Sequence, residues 1–536
     1  MRFKFLFFGC FLSLGICAEA SAKDIISADN NVPENNRSKT LDGFDIYEFS
    51  ILGNSVLPVD NIEEVLKPYL GLDKKPEDVD QARAKLEEYY QQHGYKTVQV
   101  IIPKQTVKDG VIRLEVQESK IGRLEVVGSK YHSLDRIREQ AQSLAQGNVP
   151  NFNEVSKDIQ RLNSSSDRRV SPSIRAGETP GTIDVDLVVD DDLPVHGSIE
   201  LNNRKSSDTS DLRASASLSY NNLWQRNHSL TLSYQTAPKN TDDSKVFYGS
   251  YLAPFEDSNF SLLLNAIRTD SNVSTIGGIN VLGKGNIFGV KGIWSLRSTP
   301  EFYDSVSLGI DRKDFKQNIN LERNITLTPI LYYPINATYN ATKRGTNSNI
   351  SGDVGIVFAL RQWTKKPPFT INGVSIDPDT QIPDSQQLSL RGNLEHLYFF
   401  KNGMQFQTRL HAQLTDQALE SYEQFSAGGA DSVRGYLESE AQGDLGINAN
   451  FDLSSPSLLK SQDVRLYTFL DAATLKVKYP AAETPNNHDL ASAGVGLKVS
   501  LWDHFEGNIS WAKVLHDGPR SNAGDDRVLF RIFASF

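Results

Sequence analysis

The sequence predicts two small α+β domains followed by an antiparallel transmembrane β-barrel of about 16 strands. Three observations carry this expectation: an export signal at the N-terminus, an order of elements that recurs after about 75 residues, and a change to strict two-residue alternation from His196 to Phe536. Composition sets the limits. Of 536 residues only 39% are hydrophobic, the mean hydropathy is -0.39, and no apolar run reaches the roughly 18–20 residues of a spanning helix. A bundle of membrane helices is excluded. A formal charge of -10, from 66 acidic against 56 basic residues, argues against nucleic acid, whose binders show a basic footprint.

Arg2 and Lys4 precede an apolar stretch from Phe5 to Cys17, and small residues follow at Ala18, Ala20 and Ala22. This is the layout of a secretory signal peptide, expected over 1–22. Its removal would take away both cysteines, Cys10 and Cys17, leaving an exported chain without disulfides. Residues 23–42 are Asn-rich and aperiodic and read as a linker.

The first domain is expected over 43–118. Asp45–Ile51 reads as a strand, and Ile62, Val65, Leu66, Tyr69 and Leu70 mark a helix stopped by Gly71. Val79, Ala82, Leu86 and Tyr90 mark a second helix, closed by His93-Gly94. Strands at Lys96–Ile102 and Val111–Glu118 flank an Asp109-Gly110 turn. The same order repeats over 119–192: a strand at Gly122–Val127, helices marked by Leu134, Ile137, Ala141, Leu144 and by Phe152, Val155, Ile159, Leu162, then strands Arg169–Ala176 and Thr182–Val189. Asp190-Asp191-Asp192 reads as a solvated hinge. The repeat resembles POTRA domains, periplasmic modules that precede certain outer-membrane barrels. That resemblance implies a role in receiving unfolded chains, and an open sheet edge offers the donors and acceptors such a role needs.

From 193 onward, Leu212, Ala214, Ala216, Leu218 and Tyr220 alternate with Arg213, Ser215, Ser217 and Ser219. Leu445, Ile447, Ala449, Phe451 and Leu453 alternate with Gly446, Asn448, Asn450 and Asp452. Such segments suit a wall with lipid outside and water inside, and only a closed barrel leaves no unpaired edge in lipid. About 16 segments fit, enough for an aqueous interior; boundaries within 270–345 are not assigned. The last segment places Val528, Phe530, Ile532, Ala534 and Phe536 on one face. This aromatic terminus resembles the sorting signal that the barrel-assembly machinery reads.

A long loop over 415–443 carries Gly428, Gly429, Val433, Arg434, Gly435 and Tyr436 in the run Phe-Ser-Ala-Gly-Gly-Ala-Asp-Ser-Val-Arg-Gly-Tyr. It resembles the signature of two-partner secretion transporters, similar to hemolysin and filamentous-adhesin secretion proteins. The resemblance implies that the loop folds back into the barrel and that Arg434 pairs with an inward aspartate. Arg465, Tyr467, Phe469 and Asp471 share one face of a later strand, so Asp471 would face the lumen. The family pattern has glycine where this chain has Ala473.

The function implied is secretion of an unfolded exoprotein, received by the POTRA units and passed through the barrel pore; the alternative is a factor that assembles outer-membrane proteins. Expected partners are a secreted adhesin, hemolysin or contact-dependent toxin, the barrel-assembly machinery and outer-membrane lipid, with the protein a monomer. No catalytic residues, cofactor or metal site are expected: the nine His show no ligand spacing, and no nucleophile elbow or phosphate loop occurs. Residues before the first strand are not amphipathic, so no plug helix is expected. Deleting residues 23–40 should leave single-channel conductance unchanged; a rise would show that this segment occupies the pore.

Overall fold

The computed structural model describes residues 43–536, except 208, 257, 272, 277–278, 322–323, 361–362, 365–368, 372–373, 377–386, 479 and 481–484. The expected signal peptide, linker and lack of a plug helix lie outside the described residues. The described chain forms two units that meet between Leu193 and Pro194.

The first unit contains one arrangement twice. In its first half come β1 (Phe44–Ile46), β2 (Glu48–Leu52), α1 (Val59–Leu66), β3 (Gly71–Lys74), α2 (Pro76–Gln92), β4 (Gln99–Ile101) and β5 (Val111–Gln117). In its second come β6 (Lys120–Val127), α3 (Leu134–Gln140), α4 (Phe152–Leu162), β7 (Arg168–Ala176) and β8 (Thr182–Asp191). The sheets run β2-β5-β4 and β6-β8-β7. In each, the first strand is parallel to the middle one and the other antiparallel. The helical stripes Ile62, Leu66 and Val79, Ala82, Leu86, Tyr90 bury against Ile112, Leu114 and Val116; Ile137, Leu144, Val155 and Leu162 bury against Val185, Leu187 and Val189. Burial of such faces, at about 25 cal/mol per Å² of apolar surface, is what holds these short helices.

Several boundaries differ from the sequence expectation. α1 ends at Leu66, and a short 3-10 turn containing Pro68 follows. Gly71, at φ +137°, opens β3, which pairs with β1. α3 stops at Gln140 because Ala141 leaves the helical region (φ -102°, ψ 50°), and another 3-10 turn then carries Leu144 into the core. Gly94 also joins the halves. Its carbonyl accepts from Phe152 N at 2.8 Å, and a Cβ there would meet Asn151 Oδ1 at 2.3 Å.

The acidic run is not solvated throughout: Asp190 and Asp192 are exposed, but Asp191 is not. Asp191 is buried and accepts from the amides of Lys130 (2.8 Å), Tyr131 (3.0 Å) and His132 (3.0 Å), from Ser129 Oγ (2.8 Å), and contacts His132 Nδ1 at 3.0 Å. It closes the 129–132 turn that leads into α3. Burial alone would raise its carboxyl pKa, but the amides of Lys130 and Tyr131, Ser129 and His132 outweigh this and hold it well below the usual carboxylate range.

The second unit is a closed antiparallel barrel of 16 strands, counting as one the strand interrupted at Tyr333, which runs through Asn324–Tyr332 and Pro334–Arg344. It begins with β9 (Val195–Asn202), β10 (Arg213–Leu223), β11 (His228–Thr236), β12 (Lys245–Pro254) and β13 (Phe260–Thr269), and ends with Asp526–Ser535 paired to β9. Outward residues such as Leu218, Leu232, Ile356, Leu470, Val495 and Ile532 are exposed, as a lipid-facing band requires. An even strand number puts both ends of the barrel chain on one side. Turns on that side are short, from Glu301 and its neighbours (299–301) to 455–462, and carry exposed Trp224, Phe255, Phe400 and Trp502, a girdle for the membrane interface. Most connections on the other side are longer, the longest spanning 415–444. The region 270–345, unassigned from sequence, holds Lys284–Ser298, Phe302–Leu321 and the interrupted strand; Phe302–Leu321 is long enough to pair with both parts of the latter.

Candidate functional site

The loop between the strands Gln405–Leu414 and Leu445–Ser454 enters the barrel. It folds on a two-stranded hairpin, Phe425–Ala427 with Ala441–Gly443. Gly428 (φ +108°) and Gly429 (φ +105°) turn the chain where any Cβ on Gly428 would lie 2.5 Å from Leu437 O. Asp444 secures the base, accepting from Leu419 N and Lys478 N, both at 2.7 Å.

Arg434 reaches the wall. Its Nε donates to Asp471 Oδ2 and its Nη2 to Asp471 Oδ1, both at 2.7 Å, while its backbone N–H donates to the same carboxylate at 3.1 Å. Nη2 also meets Asp452 Oδ1 at 2.6 Å. Arg434 is 5% exposed, Asp452 2% and Asp471 0%. Lys498 Nζ approaches the other Asp452 oxygen at 3.1 Å, and Asn450 donates to Asp471 Oδ1 at 2.7 Å and also to the Ser432 carbonyl. The guanidinium carbon lies 3.6 Å from the Phe469 ring centre. Two carboxylates and an aromatic face therefore converge on one arginine, matching its planar donors and delocalised charge.

The flanking motif residues pack around it. Val433 and Tyr436 are fully buried with Ala473, Leu475, Leu490 and Val514. The Tyr436 hydroxyl donates to His516 O at 2.5 Å and accepts from Ala491 N at 3.1 Å. The alanine at 473 lies within this cluster. Gly435 has φ +99°, and a Cβ would sit 3.2 Å from Val514 Cγ2. Gly435→Ala is thus expected to strain the loop by about 1–3 kcal/mol and to lower exoprotein export severalfold without loss of barrel assembly, measured by export and heat-modifiability in one strain.

The sequence singled out Asp471 and Phe469, and the structure places both under Arg434. It did not single out Asp452 or Lys498 as partners, although Asp452 shares the polar face of Asn448 and Asn450. Nor did it signal Glu423, which is buried and bonded by Lys313, Tyr332 (2.9 Å) and Arg391 (2.7 Å) from another part of the wall. Of the terminal residues, Ile532 and Phe536 are exposed outward and Phe530 is half-buried. The Phe536 amide and carbonyl exchange bonds with Gly197, both at 3.0 Å, where a Cβ would strike the Phe536 ring at 2.1 Å.

Comparison with known proteins gives concordant results. The profile of the haemolysin secretion/activation protein family ShlB/FhaC/HecB matches residues 181–499, and that of the ShlB-type POTRA domain matches 44–119. The heme/hemopexin transporter protein HuxB of Haemophilus influenzae Rd is 20% identical over 90% of this chain and 85% of its own. Among solved structures, CdiB from Escherichia coli matches with a TM-score of 0.65 at 18% identity, covering 96% of this chain and 95% of its own. BamA from Haemophilus ducreyi lacking POTRA domains 1–3 matches at 0.54 and 15% identity, over 92% of this chain and 100% of its own. The fold is therefore shared with CdiB and with BamA. With the family profile covering more than half of its length, the chain belongs to the haemolysin secretion/activation protein family ShlB/FhaC/HecB.

Proposed function

We propose that this protein is an outer-membrane transporter of two-partner secretion: it takes up an unfolded exoprotein in the periplasm through the POTRA-type units and passes it through the barrel, with the 415–443 loop as the movable closure. The observation that carries this reading is the loop held inside the barrel by Arg434 on Asp471 and Asp452. A plain diffusion channel has no use for receiving domains or for an arginine so held.

The periplasmic unit has the means to hold an extended chain. β2 and β7 are sheet edges, and most of β7 beyond Val170 is exposed. A groove beside β2 has an apolar floor of Phe49, Ile51, Leu66 and Leu70, with Glu48, Asp60, Glu63 and Glu64 at its margin. Such a groove suits a segment with alternating apolar and basic side chains, paired by its backbone to the strand edge. Related proteins are named for heme/hemopexin transport or as CdiB, and the exoprotein here is an adhesin, hemolysin or toxin of corresponding type. The aromatic terminus ending in Phe536 serves assembly of the barrel itself.

Residues 23–192 should bind the N-terminal portion of the exoprotein encoded beside this gene and should not bind peptides copied from the ends of other barrels. Isothermal titration with both ligands decides this. Binding of the barrel-end peptides alone would favour an assembly factor.

A further inference from the structure

The barrel closes by a short seam. β9 meets the last strand in five register pairs, from Ser198 with Ser535 to Asn202 with Arg531, continued by the backbone bonds that Gly197 and Phe536 exchange. By contrast, the other flank of β9 makes eight with β10, and the other flank of the last strand makes nine with Phe505–Val514. The Asn203 amide still reaches Phe530 O at 3.4 Å, and beyond it the chain leaves the wall. There the Asn203 side chain takes the place of a strand, accepting from Phe530 N at 2.9 Å and donating to Val528 O at 2.8 Å.

The segment that leaves the wall is bonded to the 415–443 loop. The Arg204 guanidinium forms a two-pronged pair with the Asp431 carboxylate, one contact at 2.9 Å. Lys205 O accepts from Glu438 N at 2.9 Å. The Glu438 side chain in turn accepts from Ala430 N at 2.9 Å, which closes the loop tip around these contacts. The same loop also grips the far side of the seam. The Glu440 carboxylate accepts from Arg520 N (3.0 Å), Ser521 N (2.8 Å) and Ser521 Oγ (2.7 Å), in the connection that feeds the last strand. Tyr436 bonds His516 in that connection.

We infer that the 415–443 loop is a clasp across the barrel seam, with Arg204 the positioning residue that ties the first strand to it. The loop bridges the two strands whose direct ladder is shortest. Its withdrawal therefore removes at one time the ion pair in the lumen and the bridge that holds the closing strands in place. Loop position and wall geometry become one two-state element, since both are biased by the same set of bonds. Arg204 acts through Asp431. The inference rests on the transport reading only for the loop's displacement in work; the clasp itself is read from the wall.

The test uses full-length protein in lipid nanodiscs. Spin labels are placed on cysteines at Ile199 and Ile532, outward residues of the two closing strands, and their separation is measured by double electron–electron resonance. Arg204→Ala, or Asp431→Ala should the first fail to assemble, is expected to increase a longer-distance population roughly threefold over the parent. The exchange Arg204→Asp with Asp431→Arg should return it to the parent level, which mere filling of space would not. A distribution unchanged in both single variants overturns the inference. No export is read in this experiment, so its failure is distinct from failure of the transport reading.

Discussion

Arg434→Ala is expected to abolish exoprotein export while the barrel still assembles and shifts on heating. The change leaves Asp471 fully buried with only the Asn450 amide and the residue-434 backbone N–H as donors, and leaves Asp452 to Lys498 and the more distant Arg409. Removing one member of a buried pair costs about 3–5 kcal/mol, because the remaining charge keeps its desolvation without its partner. For a loop with an inner and a displaced position, that is roughly two to four orders of magnitude in their ratio. The barrel ladder does not depend on it, so assembly survives. Arg434→Lys should restore little, since an ammonium cannot chelate Asp471 and reach Asp452 with the same planar group. Export measured in the culture medium, beside heat-modifiability of the purified barrel, reads both halves of the expectation.

The second large effect lies in the periplasmic unit. Asp191→Ala should destabilise the second α+β half by about 3–5 kcal/mol, because three backbone donors, a hydroxyl and an imidazole lose their common acceptor at once. Amide exchange at Lys130, Tyr131 and His132 in the intact protein should quicken by roughly two orders of magnitude or more. A pH dependence follows from the same group. The carboxyl titrates lower in the fold than in the unfolded chain, so its contribution is present above about pH 4 and is lost as acid titrates the folded form. His132 is also held below its ordinary value, by burial first and then by the nearby Arg168 charge, against the opposing pull of Asp191. The unfolded chain therefore takes up this proton before the folded one does, and stability falls as pH drops below about 6.5. The parent should lose protection at residues 130–132 in both windows, and Asp191→Ala should lack the lower one.

Much of this architecture was legible in the residues because its signals are local. A barrel strand must alternate, so Leu445–Leu453 and Arg465–Asp471 declare their faces within a few residues. Helix stripes such as Val79, Ala82, Leu86 and Tyr90 declare theirs in the same way. What escaped was set by distant partners. Gly71-Leu72-Asp73-Lys74 has no alternation and reads as a helix end, yet becomes β3 because β1 lies beside it. Asp191 sits in an acidic run that looks solvated, and only the 129–132 turn, some sixty residues away, makes it a buried acceptor. In the site, Arg434 and Asp471 were legible through the resemblance of the loop and the parity of one strand. Asp452 had parity too, but without a geometry nothing marked it as a second partner. Glu423 and Arg204 had no signal at all, since their partners are remote in sequence.

The central claim is that the loop held inside the barrel must move for cargo to pass. The Asn450 side chain on the wall donates to the Ser432 backbone carbonyl, so Ser432→Cys with Asn450→Cys puts one thiol on the loop and one on the adjacent wall, within the span of a short bifunctional reagent, in a chain whose other two cysteines, Cys10 and Cys17, fall in the expected signal. Export is then measured with the pair reduced and with it joined by oxidation or a short bifunctional thiol reagent. The account predicts export from the reduced protein, loss of it when the loop is tethered, and recovery on reduction. Export that continues at the reduced rate with the loop covalently held to the wall would contradict it.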